Sequence, residues 1–333
     1  MNEEVLDFNK KYQTGIIETC YIGGGNPSIN PDDINEINNI LNKHFDLNGI
    51  KEYTVECNPL NITREFIKKI EKTKINRVSL GIQSFSEKAL NAANRNQNNK
   101  TVNESLKMLY DHFDNLSIDL INGLAYSDIK KEIDGLHEIV SKYKINHISF
   151  YELMIGEKCK FGKMKLPFLS EEEKYSYEKV FGEMIKVHGF YKYEISNYAK
   201  KGYESIHNKA YWNYKNYAGF GPGAHSTIDG FRIENKDDVK SYMDGNYKKT
   251  VELSYKERIE EYILMGLRLV EGIDLKDFYE RFDCHLDNVI NFKSIKYSEK
   301  LEIKNNNLTL TDSGFNLMNR VLVDIFEDLD ESI

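Results

Sequence analysis

From residue 15 to about residue 200, short runs of β-branched and aromatic residues alternate with stretches in which apolar residues recur every three or four positions. The runs are GIIETCYIG, EYTVECNP, NRVSLGIQSF, LSIDLING, INHISFYEL and FYKYEISNY, and each has the length and composition of a strand. Between them, PDDINEINNILNKHF sets Ile34, Ile37, Ile40 and Leu41 on one helical stripe. ITREFIKKIEK does the same with Ile62, Phe66, Ile67 and Ile70, and IKKEIDGLHEIVSKY repeats the pattern. Such alternation predicts parallel strands joined by right-handed helical crossovers. The class is α/β, either an open doubly wound sheet or a barrel.

The polar positions favour a barrel or part of one. Nearly every apolar run ends in a polar residue: Asn26, Glu56, Gln83, Asp119 with Asn122, Glu152 and Glu194. They recur at intervals of roughly 30–40 residues, the size of a βαβ unit. Polar groups at the same end of consecutive parallel strands converge on the mouth of a barrel. In an open sheet they would gather only at a switch point.

Beyond residue 200 the pattern changes. GYESIHNKAYWNYKNYAGFGPGAHS is aromatic and glycine-rich with no clear strand period. DDVKSYMDG follows, and KERIEEYILMGLRLVEGI then carries Ile259, Tyr262, Ile263, Met265, Leu267 and Leu269 at helical spacing. KLEIKNNNLTLTDSGFNLMNRVLVDIF predicts a strand, an Asn-rich turn, a second strand and a helix, the outline of a small winged-helix module. Three segments are expected: a part-barrel over 1–200, a connecting region over 201–250 and a helical, winged-helix-like domain over 251–333.

Composition narrows the function classes. Hydrophobic residues make up 40% of the 333 positions and charged residues 29%, enough apolar surface for a full core. The net charge of −8 argues against a nucleic-acid surface, and Lys and Arg in the C-terminal segment are balanced by Asp and Glu. No apolar stretch is long enough to predict a membrane span. The opening MNEEVLDFNKKYQ lacks the apolar core of a signal peptide. Cys20, Cys57, Cys159 and Cys284 are widely separated, which predicts free thiols in a cytoplasmic protein and no metal site.

The candidate chemistry sits in a few segments. In YIGGGNPS a strand runs into Gly24 and Gly25 without GxGxxG spacing or a Walker lysine, so the usual phosphate loops are excluded and a tight turn is the alternative. Glu56 at a strand end suits ribose hydroxyls or an ammonium group, or is a surface acid. Gln83 lies among apolar neighbours and needs partners. Arg95 suits a carboxylate ligand, or is a solvated arginine. Asp119 is an acid inside a β-run, which points to a partner or a site. In HNKAYW a helix would set His207 and Tyr211 on one face and Asn208 and Trp212 on the next. That patch suits a flat aromatic ligand with the imidazole as metal ligand, or is a structural plug. GFGPGAHS, with Gly219, Gly221, Gly223 and His225, predicts a loop passing close to a ligand or to another backbone.

Taken in order, YIGGGNPS, ECNP, INRVSLGIQSF, Arg95, IDLINGL, HISFYEL, YEISNYA, HNKAYW and GFGPGAHS resemble the radical S-adenosylmethionine proteins related to oxygen-independent coproporphyrinogen III oxidase. The HNxxYW motif marks the heme-chaperone branch, and the resemblance covers nearly the whole chain. It implies a part-barrel whose strand ends bind S-adenosylmethionine. Gly24, Gly25 and Asn26 would line the methionine part, with Glu56, Gln83, Arg95 and Asp119 completing the pocket. It implies heme held at His207, Asn208, Tyr211 and Trp212, and a heme-acceptor protein, with respiratory proteins among the candidates. The alternatives are a porphyrinogen-decarboxylating oxidoreductase of porphyrin biosynthesis and a cluster-free degenerate relative.

The departures are specific. The family's CxxxCxxC loop, which holds a [4Fe–4S] cluster, has no counterpart here, and the strand that bears it is expected to be missing. No catalytic residue and no metal ligand is therefore assigned. A truncated ordinary member and a cluster-free relative both remain open. Asn26 stands where the family has threonine, Gln97 replaces the histidine of an RxH motif, and Ala125 replaces a proline.

Overall fold

The computed structural model describes residues 1–13, 16–156, 160–245, 248–294 and 296–332. They form two compact units, one of Leu6–Lys192 with Ser196–Ile206, the other of Met1–Val5, Tyr193–Ile195 and His207–Ile333.

The first unit is built on one sheet. Strands β1 (Thr19–Ile22), β2 (Glu52–Cys57), β3 (Arg77–Gln83), β4 (Leu116–Asn122) and β5 (His147–Glu152) are parallel and lie side by side in chain order. Helices α1 (Asn2–Tyr12, from Leu6 onward), α2 (Pro31–His44), α3 (Arg64–Ile70), α4 (Glu87–Ala92), α5 (Asn99–Tyr110), α6 (Ile129–Lys142), the single turn α7 (Lys160–Lys163) and α8 (Glu171–Lys186) belong to this unit. Each crossover steps in the same direction, so right-handed connections lay the helices along one face and there is no switch point. This is the order of a part-barrel, and no pairing closes it among the described strands. β3 is buried along nearly its whole length, as a parallel strand covered on both faces must be.

The helices begin where the sequence supplies caps. The Asn30 side chain accepts from the Asp32 N–H with Pro31 in the first turn, and Thr63 and Asp128 cap α3 and α6. Ile34 and Leu41 of α2 and Phe66, Ile67 and Ile70 of α3 are buried, so the stripes face the core.

The last run differs from the expectation of a sixth parallel strand. FYKYEISNY forms a hairpin, β6 (Tyr191–Lys192) and β7 (Asn197–Ala199), with β7 antiparallel to β5. Residues 193–195 leave the sheet for the other unit. There Val270 N–H donates to Tyr193 O at 3.0 Å and Ile195 packs against the C-terminal core.

In the second unit, α9 (Ile206–Trp212) ends in its fold and is followed by an antiparallel sheet that the sequence reading missed. Strands β8 (His225–Ile228) and β9 (Phe231–Asn235) meet at Asp229 and Gly230, both at positive φ (51° and 83°), a two-residue hairpin turn. After α10 (Val239–Met243), strand β10 (Lys248–Glu252) pairs with β9. Buried Glu4 ties this region together, accepting from Gly221 N–H at 3.1 Å, Asn235 Nδ2 at 2.7 Å and the Tyr242 hydroxyl at 2.7 Å.

The C-terminal core packs α11 (Tyr255–Gly266), α12 (Leu275–Phe282), α13 (Asp312–Asn316) and α14 (Met318–Ser332) around Ile263, Phe278, Tyr297, Leu308 and Ile325. The expected strand, Asn turn and strand are β12 (Leu301–Lys304) and β13 (Asn307–Leu310), turning at Asn305 and Asn306 with φ of 52° and 65°. β11 (Ile273–Asp274) adds a third strand beside β13.

Candidate functional site

The carboxyl ends of the parallel strands enclose a cavity of about 320 Å³. Gly25, Asn26, Glu56, Gln83, Arg95, Asp119 and Glu152 all line it, so the strand-end polar residues converge. Two of those expected at the mouth do not. The Asn122 side chain donates instead to Lys174 O at 3.0 Å, and Glu194 is buried in the segment between β6 and β7.

The loop after β1 is shaped by its glycines. Gly24 and Gly25 have φ of 84° and 61°, a region costly for other residues. Glu56 fixes the loop, accepting the Tyr21 hydroxyl at 2.8 Å and Gly24 N–H at 3.1 Å. Asn26 ties it to the loop after β2, donating to Asn61 Oδ1 at 3.0 Å and accepting from Ser28 Oγ at 2.7 Å. Ser28 Oγ in turn accepts from Asn58 N–H at 2.9 Å.

Asp119 stands on β4 between the hydroxyls of Ser79 (2.9 Å) and Ser149. Loss of solvent raises its pKa above the ordinary carboxylate value, and the two hydroxyls and Arg77 oppose that rise. Gln83 ends β3 at φ 69°, where the register against β4 slips between Gly81 and Gln83. Arg95 follows α4, which Asn94 ends at φ 56°. Its guanidinium is exposed, and no carboxylate pairs with it among the described residues. The wall therefore offers carboxylate acceptors on β2 and β4 and an uncommitted cation on one side.

Two features of this unit were not anticipated. Glu52 opens β2 inside the protein beside Arg77 at 3.7 Å and accepts from Ser205 Oγ at 2.8 Å and Ile206 N–H at 3.0 Å. Buried Glu132 of α6 takes up the loop after β3. Neither had a local signal, since Glu52 follows Lys51 at the strand start and Glu132 sits among Lys130, Lys131 and Asp134.

The [4Fe–4S] cluster implied by the resemblance finds no ligand set among the described residues. Cys20 lies within β1 and Cys57 ends β2. Burial pushes the Cys20 thiol up to about 12 and holds Cys57 well above the ordinary thiol range, so neither presents a thiolate. Cys284 belongs to the other unit, and Cys159 lies outside the described residues. Among the described residues no three His, Cys, Asp or Glu side chains group to hold a metal.

In the second unit the expected helix forms as α9, and its two faces separate. His207 Nε2 lies 2.9 Å from the Tyr211 hydroxyl, with the rings edge to face, and Tyr211 meets Tyr217 with centroids 4.5 Å apart. Trp212, on the face shared with Asn208, stacks under the Arg268 guanidinium at 5.2 Å. It also lines a second cavity of about 420 Å³ with Tyr262, Ile273 and Arg281, which His207, Asn208 and Tyr211 do not reach. The GFGPGAHS loop closes on protein. A side chain at Gly219 would meet His225 O at 2.2 Å, and Gly221 N–H is taken by Glu4.

Residues 2–135 match the Radical SAM superfamily and residues 253–317 match the HemN C-terminal domain. The heme chaperone HemW of Bacillus subtilis is 32% identical over 96% of this chain and 88% of its own length. This chain belongs to the HemW family. HemW of Lactococcus lactis is 29% identical over 96% of this chain and 87% of its own. Coproporphyrinogen III oxidase HemN of Escherichia coli, a radical SAM enzyme, shares the fold at a TM-score of 0.82 and 16% identity, covering 100% of this chain and 82% of that one. Within this HemW-family fold the strand-end cavity belongs to one unit, and the residues from His207 to Trp212 belong to the other.

Proposed function

We propose that this chain binds heme through His207, Asn208, Tyr211 and Trp212 and passes it to an acceptor protein, and that its strand-end cavity holds S-adenosylmethionine. The observation that carries the reading is the likeness to curated HemW heme chaperones over 96% of the chain. The half-buried His207 supports it, with aromatic rings beside an imidazole that can ligate iron once Nε2 gives up the Tyr211 hydroxyl. A cytoplasmic setting goes with free thiols at Cys20, Cys57 and Cys284.

S-adenosylmethionine suits the cavity in size and in donor set. Arg95 would take its carboxylate, and Glu56 and Asp119 would accept from its ammonium and ribose hydroxyls. Gln83 would complete the wall, and Gly24, Gly25 and Asn26 would run along the methionine part. When bound, the cofactor supplies a sulfonium whose positive charge suits an acidic wall.

A heme titration followed in the Soret region tests the chaperone reading. The wild-type chain should bind heme with a defined stoichiometry. His207→Ala combined with Trp212→Ala should weaken binding by about tenfold or more, chiefly through the loss of the metal bond, since Trp212 lies on the other face of α9. Unchanged binding in the double variant removes the site.

A further inference from the structure

We propose that Gln97 and Glu132 are positioning residues of the strand-end cavity, acting on its ligand through Gln83. The inference deepens the S-adenosylmethionine reading and rests on it for the identity of the ligand. Gln83 is a cavity-lining residue other than glycine held at positive φ. A non-glycine residue there is strained and persists only where its surroundings over-determine it. The structure supplies that constraint from two sides.

On one side is Gln97, only 3% exposed. At the bulge where β3 slips against β4, the Nε2 amide of Gln97 donates to Gly81 O at 3.0 Å and also to Ile82 O. One amide nitrogen carries two hydrogens and serves both carbonyls. The ring N–H of a histidine at this position would serve one.

On the other side is Glu132, 2% exposed. Its carboxylate accepts from Phe85 N–H at 2.7 Å, Ser127 Oγ at 3.0 Å and Ser84 Oγ. Ser84 Oγ also accepts from Ser86 N–H at 3.0 Å, so the carboxylate governs the whole turn. The helix can come this near because Gly135, one turn on from Glu132, has no side chain. A Cβ there would meet Phe85 Cγ at 2.5 Å.

Between the two clamps the Gln83 side chain folds back over Gly81, where a Cβ would lie 2.7 Å from Gln83 Nε2. Gly81 pairs in register with Asp119. The clamps therefore hold the Gln83 amide over Gly81, the strand partner of Asp119, and neither clamp residue lines the cavity itself.

The test is a double-mutant cycle on the full chain, with S-adenosylmethionine as titrant. Gln97→Ala and Glu132→Gln should each weaken binding about 5–10-fold, and Gln97→His should fall between them and the wild type. In a Gln83→Ala background either change should add less than about twofold, because its effect runs through Gln83. Amide exchange at Ser84–Ser86 should quicken about tenfold or more in both clamp variants while β4 is unchanged. Clamp losses that add in full to Gln83→Ala, or folded variants with unchanged affinity and unchanged exchange, overturn the proposal. If the wild-type chain takes up no S-adenosylmethionine, the ligand reading falls by itself. The NMR shift of the Gln83 side-chain amide then decides, and a shift that stays put in both clamp variants overturns the clamp.

Discussion

The Tyr21 hydroxyl donates to Glu56 Oε1 at 2.8 Å, joining β1 to β2 at the mouth of the cavity. Burial and the neighbouring carboxylates raise the phenol's pKa, so it stays a donor at any working pH. With Gly24 N–H on the other oxygen, the carboxylate is oriented before any ligand arrives. Tyr21→Phe should lower stability by about 1 kcal/mol in urea unfolding, the usual loss for one such bond. It should also weaken S-adenosylmethionine binding about threefold by loosening Glu56. Tighter binding would mean that Tyr21 competes with the ligand for Glu56.

Asp119 has a folded-state pKa raised by desolvation from 3.8. Its contribution to stability is full below that unfolded value and is lost as pH rises through the folded value. Asp119→Asn removes the dependence. The difference in Tm, variant minus wild type, should therefore grow more positive between pH 4 and pH 8. A flat difference would show that the carboxylate is not desolvated.

His147 works in the opposite sense. It is buried, with Nδ1 2.8 Å from Ser117 Oγ, and burial, with Arg77 nearby, holds its pKa well below 6.5. Stability is present above the unfolded value and is lost as pH falls below it, by up to about 1.4 kcal/mol per pH unit. His147→Gln should flatten urea-unfolding stability between pH 7 and pH 5. A variant that keeps the wild-type slope would rule His147 out as its source.

Glu52 and Arg77 are buried together, and Glu52 also holds Ser205 and Ile206. Glu52→Ala should cost about 3–5 kcal/mol, because Arg77 is left charged without its partner. Ser205→Ala should cost only about 1 kcal/mol. Equal losses in denaturant titrations would mean that the ion pair contributes nothing.

Much of this was legible, for physical reasons. A strand buried on both faces reads as a continuous apolar run, so the polar residue that ends it stands out. Asn26, Glu56, Gln83, Asp119 and Glu152 were found in this way, and all line the cavity. Glu194 failed the same test because alternation in FYKYEISNY continues through residues that a different unit takes up. The hairpin at Asp229–Gly230 carried its turn signal, but its first strand begins inside the glycine-rich stretch that ends at Ser226, which hid its period. Glu52 and Glu132 were out of reach, since their partners lie 153 and 47 residues away along the chain.

The Glu4 contacts carry a consequence for the order of assembly. The parallel strands pair with their neighbours in chain order, so that sheet can grow strand by strand as the chain leaves the ribosome. Glu4 has no such option, because its partners at Gly221 and Tyr242 lie 217 and 238 residues downstream. Those contacts can therefore close only once the chain has grown 217 residues past Glu4, well after the last parallel strand has been made.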